Sequence, residues 1–495
     1  MAQRALPPGA IRRRTAFGLF DADGWTWASL KATFWFLVII FLIGYLPDRA
    51  YYFTVLPAVD VGYNAISPIN WCSERNAGLP CPAPAGAVVP WAANPAEVAL
   101  PEPRTDGDAF SVGDNIYLAG GRTAAGATAS TLANVVTEEA NFGAWTEGPA
   151  LDQPRADGAA VVASGVPYYI GGVDAQGAPS TTVLLGTLTE GALTGWAAVP
   201  ALALPVGITD AMAVATPRGI YLFGGRVDGV PSQAVYLAAV PASGTGDLGA
   251  WTELTEMRLP EARADGTAVV LGDFVYLLGG EGPSGVSNTV FFLALDTDGV
   301  PVVDEATGRP QGWGVSVGPA AGYALPEPRA RHMSFANGGA IYVIGGVGAD
   351  GALAETTYWS VPVTTTGTIP AWSELEVTDL PEPRADAGTL AVASHAFLVG
   401  GEGPSGPVAG SMRANLAPAL PFFRLGLFGL TVPALAIQGE IGQQLGYIAA
   451  GTVALGDLVL LILVGIAYSH QRATLRLIER LSRGRFRVPP EEDRV

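Results

Sequence analysis

The chain has 495 residues, of which 49% are hydrophobic and 15% charged, with 64 glycines and 39 prolines. This composition excludes a disordered chain and a helical bundle, and it favours an all-β domain. The net charge is −18 and Lys31 is the single lysine, which excludes a nucleic-acid partner because phosphate binding needs clustered positive charge. Three histidines and two cysteines also exclude a multi-histidine metal centre, so we expect no metal and no cofactor.

An uncharged stretch near the N-terminus predicts a first membrane span. Residues Ala32–Pro47 carry no charged side chain, and Trp25 and Trp27 flank them. Such a run is long enough to enter a bilayer, and the basic cluster at 12–14 precedes it. No small-residue cleavage site follows, so we expect an uncleaved anchor at 28–47 after a cytoplasmic segment at 1–27.

A second apolar stretch, Leu445–Tyr468, predicts a second span at 445–468. The tail at 469–495 follows it and holds an arginine cluster at positions 472, 476, 480, 483, 485 and 487. By the positive-inside rule the tail is cytoplasmic. Both termini then lie on the cytoplasmic side of the plasma membrane, and the chain between the two spans lies on the extracytoplasmic side. The apolar segment 418–444 is interrupted by Arg424, Pro433 and Glu440, which favours an interfacial position.

Asp457 lies within the second predicted span. An ionisable side chain at that depth is costly and usually faces protein or water. We interpret Asp457 as a contact with another membrane subunit, with two alternatives: a structural position from which it reaches water or an internal partner, and a role in proton transfer.

The connector at 48–85 contains both cysteines, Cys72 and Cys81. Outside the cell thiols oxidise, and their short separation suits a small closed loop. We therefore expect a disulfide between them, and two buried free thiols are the alternative.

Six repeats fill the middle of the chain. Each has a short β-rich run that ends in a glycine pair, and the second glycines are Gly121, Gly172, Gly225, Gly280, Gly346 and Gly401. Five repeats have an arginine 16 residues before the first glycine of the pair, namely Arg104, Arg155, Arg263, Arg329 and Arg384, and Ile208 stands at this place in the third repeat. Spaced tryptophans complete the unit: Trp91, Trp145, Trp196, Trp251, Trp313 and Trp372.

This pattern resembles the kelch motif over residues 86–417. The resemblance implies a six-bladed β-propeller whose four-stranded blades stack around a central axis. It does not imply one function, because kelch propellers include scaffolds, receptors and a few enzymes. The expected fold is therefore an all-β, six-bladed kelch-type propeller flanked by two transmembrane helices.

The order of the parts predicts how the ring closes. Trp91 precedes the first glycine pair, and no tryptophan follows Gly401. We expect the strand at Trp91 to be the fourth strand of the last blade, which removes an open sheet edge. Both membrane tethers then leave from one face, and the loops at the opposite face point away from the membrane.

Charged residues recur before the first strand of each repeat. The slot two residues after the arginine position holds Asp106, Asp157, Asp210, Asp265, Arg331 and Asp386. A spacing of two puts both side chains on one face of a strand, so we expect a charge ring at the channel mouth, with arginine–aspartate pairs that lock neighbouring blades.

The alternative interpretation of this ring is a site for a small anionic or sugar-like ligand. Arg329, Arg331 and His332 are the first candidates because this sector of the ring is the most positive. Glu281 and Glu402, in two GGEGPSG turns, are interpreted as solvated loop charges.

The sequence contains no nucleophile paired with a base, no metal cluster and no phosphate loop, so we do not expect an enzyme. We expect a membrane-anchored, extracytoplasmic binding or scaffold module of bacterial type and a candidate accessory subunit of a membrane complex. Its expected partners are other membrane subunits, the lipid bilayer, and a glycan or small molecule. The alternatives are an epimerase-like carbohydrate enzyme that uses the channel mouth, and a signalling receptor or adhesin.

Overall fold

The computed structural model describes residues 77–79, 83–136, 142–240, 248–304, 311–316, 322–392, 394–416, 423–425 and 430–432, and ten positions between 458 and 476. The chain forms two compact units. The first comprises Met1–Pro68, Pro421–Leu435 and Gln444–Val495, and the second comprises Ile69–Leu420 and Ala436–Gln443.

In the first unit, strands Phe423–Leu425 and Leu430–Val432 form an antiparallel hairpin, and the ten described positions between 458 and 476 are helical. Among the described residues, no helix has the length and apolar character of a membrane span. The predicted span 28–47, both cysteines and Asp457 lie outside the described residues, so the anchor, the disulfide and the subunit contact stay predictions.

The second unit is a propeller of six antiparallel sheets. In blade order, the innermost strands are Asp108–Val112, Ala159–Ala163, Met212–Thr216, Thr267–Leu271, Met333–Asn337 and Gly388–Val392. Each contacts the innermost strands of both neighbouring blades, and the contact between the first and the last completes the ring. The second strands are Asn115–Ala119, Val166–Ile170, Gly219–Phe223, Phe274–Leu278, Ala340–Ile344 and His395–Val399.

The outer strands complete the blades. The third strands are Thr131–Val135, Val183–Thr189, Val235–Ala239, Val290–Ala294, Thr357–Ser360 and Ser411–Asn415. The fourth strands of blades 1 to 4 are Thr146–Glu147, Ala192–Ala198, Trp251–Glu253 and Gly314–Ser316. Blade 5 has three strands, and a bridge from Trp359 to Ser373 covers its outer edge.

Short elements connect these strands. In four blades a small hairpin with strands of two residues lies between the second and third strands. These hairpins pair Arg122–Thr123 with Gly126–Ala127, Arg226–Val227 with Val230–Pro231, Glu281–Gly282 with Gly285–Val286, and Glu402–Gly403 with Gly406–Pro407. Single 3-10 turns occur at Ala96–Val98, Pro200–Leu202, Thr255–Met257 and Glu376–Thr378.

The sheet of blade 6 takes strands from both ends of the propeller. The short strand Ala92–Ala93 pairs with Ser411–Asn415. Two flanking backbone bonds extend this contact, from the Val89 N–H to the Asn415 carbonyl and from the Asn94 N–H to the Ser411 carbonyl, both at 2.8 Å. The outer edge of the last blade is therefore covered by chain that precedes the first blade.

The glycine pairs join neighbouring blades. Gly120 has a φ of +62°, and a Cβ there would lie 2.7 Å from the Arg155 carbonyl oxygen of the next blade. The Gly121 N–H donates to that same carbonyl at 2.8 Å. The bond recurs at the other junctions, from Gly172 to Ile208, Gly225 to Arg263, Gly280 to Arg329, Gly346 to Arg384, and Gly401 to Arg104. A side chain would prevent this close approach, which explains the two glycines in each repeat.

The spaced tryptophans also connect blades. Each indole N–H donates to the preceding blade or to the linker after it: Trp145 to Val98, Trp196 to Thr131, Trp251 to Leu202, Trp313 to Met257, Trp372 to Tyr323, and Trp91 to Thr357. The bond from Trp91 places it against blade 5, one blade before the sheet that its neighbour Ala92 joins. Each tryptophan combines packing area with one directional bond.

Candidate functional site

Six residues surround the channel where the innermost strands begin, and we call them the mouth ring: Asp106, Asp157, Asp210, Asp265, Arg331 and Asp386. All have positive φ, between 48° and 55°. Aspartate tolerates this conformation better than most side chains. The hydroxyl groups of Thr105 and Thr209 donate to the carboxylates of Asp106 and Asp210 at 2.8 and 2.7 Å and orient them.

Backbone hydrogen bonds connect the mouth ring. Five of its six neighbouring pairs are joined by a bond of 2.8 to 3.1 Å from one N–H to the carbonyl of the previous blade: Asp210 to Asp157, Asp265 to Asp210, Arg331 to Asp265, Asp386 to Arg331, and Asp106 to Asp386. The positive φ turns each backbone toward its neighbour. The six blades are therefore joined at the mouth by a second set of bonds in addition to those of the glycine pairs.

Three arginines bridge the carboxylates of the mouth. Arg122 pairs with Asp106 at 3.5 Å and also with Asp157, so it connects blades 1 and 2. Arg226 pairs with Asp210 at 3.4 Å and with Asp265 at 2.6 Å, so it connects blades 3 and 4.

The third bridging arginine is Arg331, a member of the mouth ring itself. It pairs with Asp386 and Glu402 of blade 6 and connects blades 5 and 6. Each arginine therefore joins one pair of blades.

The arginines expected in the charge ring lie elsewhere. Arg104, Arg155, Arg263, Arg329 and Arg384 are each at most 4% exposed, and they pair with acidic residues that precede them, Glu102, Asp152, Glu261, Glu327 and Glu382. The expected pairing of each arginine with the slot aspartate of its own or a neighbouring repeat is wrong, since the salt bridges of these arginines go to the preceding acidic residues. The reason is the positive φ of the mouth ring, which turns the chain out of the extended conformation on which the spacing rule depends.

The three residues predicted first for ligand binding differ in burial: two are buried, and the third is partly exposed in the mouth ring. Arg329 is buried, and its guanidinium donates to Glu327 at 2.6 Å and to Thr356 at 3.0 Å. His332 is buried with Nε2 at 2.8 Å from the Thr267 hydroxyl. Burial, with a contribution from Arg329, lowers the pKa of His332 to about 3, so this imidazole is neutral. Arg331 lies in the mouth ring. The binding role of this group stays a prediction.

The mouth holds more carboxylates than guanidinium groups. Burial raises the pKa of Asp210 to about 7, with contributions from Asp265 and Asp157. Burial also raises the pKa of Asp108, the first residue of the innermost strand of blade 1, to about 7. Burial and the neighbouring Asp106 raise the pKa of Asp386. The mouth can therefore bind protons near neutral pH.

Arg122 and Arg226 are site residues that the repeat pattern did not indicate. The signal lies directly after the glycine pair, where arginine stands in repeats 1 and 3 and glutamate in repeats 4 and 6. Glu281 and Glu402, the two glutamates, were expected to be solvated loop charges. Instead they pair with arginines, Glu281 with Arg226 at 2.7 Å and Glu402 with Arg331. In the described part of the chain, no group of three or more His, Cys, Asp or Glu residues is placed to hold a metal ion.

No family model matches the chain. The chain is similar to "Kelch repeat protein M-T8" of Myxoma virus (strain Lausanne), with 33% identity over 174 residues, which are 35% of this chain and 30% of the viral protein. The chain thus spans less than a third of that curated relative. A solved structure titled "Structure of YjhT" aligns with a TM-score of 0.49 and 16% identity over 63% of this chain and 95% of that one. The viral similarity and the six-bladed fold together support a kelch-repeat propeller.

Proposed function

We propose that this protein is a membrane-anchored binding module that presents its channel mouth to a partner outside the cell. One observation carries the proposal. The segment that leads into Ala92–Ala93 and the end of Ser411–Asn415 lie together, as the bond from Val89 to Asn415 shows. In an antiparallel blade the third strand ends at the face opposite the start of the innermost strand. Both ends of the propeller chain are therefore opposite the mouth, on what we call the exit face.

The exit face carries exposed apolar side chains. Val135 and Val270 lie near strand ends there, and Val303 and Val363 lie in connections between third and fourth strands. All four are at least 36% exposed. Single exposed valines are ordinary on a soluble surface, but their position beside the chain ends is compatible with a face that lies near lipid.

The loops that lead into the mouth ring carry exposed carboxylates whose arginine partners are buried. The Glu327 and Glu382 side chains are 60% and 66% exposed, whereas those of their partners Arg329 and Arg384 are 5% and 4% exposed. Asp228 adds a further exposed carboxylate at a hairpin turn. This face favours a partner with positive surface charge, and its association should weaken as salt rises.

The anchor and the location complete the proposal. The predicted spans at 28–47 and 445–468 would tether both chain ends and place the propeller on the extracytoplasmic side of the plasma membrane. Asp457 would contact a neighbouring membrane subunit, which would make this protein an accessory subunit of a larger complex.

The test is gentle detergent extraction of the full chain from native membranes, followed by native electrophoresis and mass spectrometry. We expect a stoichiometric partner whose association weakens in the mouth-face variant Asp228→Asn/Glu382→Gln. The matched exit-face variant Asp296→Asn/Asp298→Asn should retain the partner. Migration at the monomer mass, or loss of the partner in the exit-face variant alone, would contradict the proposal.

A further inference from the structure

Tyrosines at one position of the second strand bind the next blade. The Tyr117 hydroxyl accepts from the Leu193 N–H at 2.9 Å. The Tyr221 hydroxyl donates to the Gly299 carbonyl at 3.0 Å, and the Tyr276 hydroxyl donates to the Gly367 carbonyl at 2.9 Å. The partners Gly299 and Gly367 belong to the following blade's connection between its third and fourth strands, and Leu193 is the second residue of the following blade's fourth strand. This connection is therefore part of the interface between blades.

Blade 6 has no such connection. Its third strand ends at Asn415, and its fourth strand, Ala92–Ala93, comes from the other end of the propeller. Tyr342 of blade 5 stands at the equivalent tyrosine position. It is 0% exposed, and among the described residues its hydroxyl has no hydrogen-bond partner.

Residues 77–79 and 83–88, which we call the clasp, pack against blades 5 and 6. The Trp359 indole N–H donates to the Ala85 carbonyl at 2.9 Å. Gly86 has a φ of +80°, and a Cβ there would lie 2.8 Å from the Trp359 ring and 3.1 Å from the Ala340 Cβ. Leu79 and Val88 are 0% exposed, in the same hydrophobic cluster as Trp359 and Met412. The clasp therefore packs where a connection between the third and fourth strands of blade 6 would lie.

The closing strand has little packing of its own. Ala92–Ala93 is two residues long, and both alanines are exposed. An exposed two-residue ladder buries almost no apolar surface, whereas the buried leucine and valine of the clasp remove whole side chains from water. We propose that the clasp substitutes for the missing connection of blade 6 and, more than the strand Ala92–Ala93, holds the propeller ring closed.

The test uses hydrogen exchange with mass spectrometry on the detergent-solubilised full chain. Leu79→Ala removes the larger of the two fully buried side chains of the clasp. Its matched control is Leu202→Ala, a leucine that is 4% exposed in the 3-10 turn between blades 2 and 3. We expect Leu79→Ala to raise amide exchange in Ser411–Asn415 at least about tenfold while exchange in blades 2 to 4 stays unchanged. Leu202→Ala should leave Ser411–Asn415 protected.

Three results would overturn the proposal: unchanged exchange at 411–415 in Leu79→Ala, an equal rise in both variants, or a uniform rise in all six blades. A second measurement uses Val88→Ala, which should give the same local pattern with a smaller rise because it removes less apolar surface. These outcomes are independent of the proposed partner, since exchange is measured on the isolated chain.

Discussion

Two buried tyrosines at equivalent positions provide a matched test of the contacts between blades. Tyr276 and Tyr342 are 1% and 0% exposed. The Tyr276 hydroxyl donates to the Gly367 carbonyl, whereas the Tyr342 hydroxyl has no partner in the described part of the chain. Replacing each by phenylalanine removes one oxygen atom and keeps the ring, so the two variants differ mainly in the lost hydrogen bond.

The structure sets the expected sizes. Tyr276→Phe loses one hydrogen bond, worth about 1 kcal/mol, and leaves a buried carbonyl unpaired. Tyr342→Phe removes a buried hydroxyl that gains nothing from the fold, so it should be neutral or stabilising by up to about 2 kcal/mol. For a propeller of roughly 340 residues, 1 kcal/mol corresponds to a Tm shift of about 1.4 °C. The Tm of Tyr342→Phe should therefore exceed that of Tyr276→Phe by about 1.4 to 4 °C.

The assay is thermal unfolding of the purified full chain in a single detergent buffer. Tyr221→Phe serves as a second bonded case, because its hydroxyl donates to the Gly299 carbonyl, and it should follow Tyr276→Phe. Equal Tm values for Tyr276→Phe and Tyr342→Phe, or a larger loss for Tyr342→Phe, would refute the assignment of these hydroxyl contacts.

Two further predictions concern the charged groups. The pKa of Asp210 is about 7 in the folded chain, above its ordinary 3.8. Between about pH 4 and 7 the folded state therefore binds more protons than the unfolded state. For this group the free energy of unfolding should fall as pH rises through this window, by at most about 1.4 kcal/mol per pH unit. Asp210→Asn should therefore raise the Tm at pH 8 more than at pH 5, and equal shifts at both pH values would contradict it. Arg263→Met removes a guanidinium that is 1% exposed and that donates to the Ser287 hydroxyl and the Ala262 carbonyl, and the loss of these hydrogen bonds should lower the free energy of unfolding by about 2 kcal/mol. Arg258→Met, which breaks a pair whose arginine is 56% exposed, should cost under about 1 kcal/mol in denaturant unfolding, and similar losses for the two variants would refute the difference.

Much of the fold could be predicted from local pattern. The glycine pairs reveal the repeat because six junctions need the same close backbone approach, and Gly120 and Gly121 show why no side chain fits there. The mouth was predicted less well. Alternation along a strand placed the arginines at the channel, but the positive φ of residues such as Asp106 directs Arg104 into the blade instead.

The sequence by itself determined the number of repeats, their order and the residue types that recur in each, because every blade meets its neighbours under the same steric constraints. The tertiary structure decided which charges meet. Arg226 reaches Asp265 across 39 positions of chain, and Arg331 reaches Glu402 across 71. Such pairs depend on how six sheets are arranged around one axis, and no spacing within a single repeat encodes that arrangement.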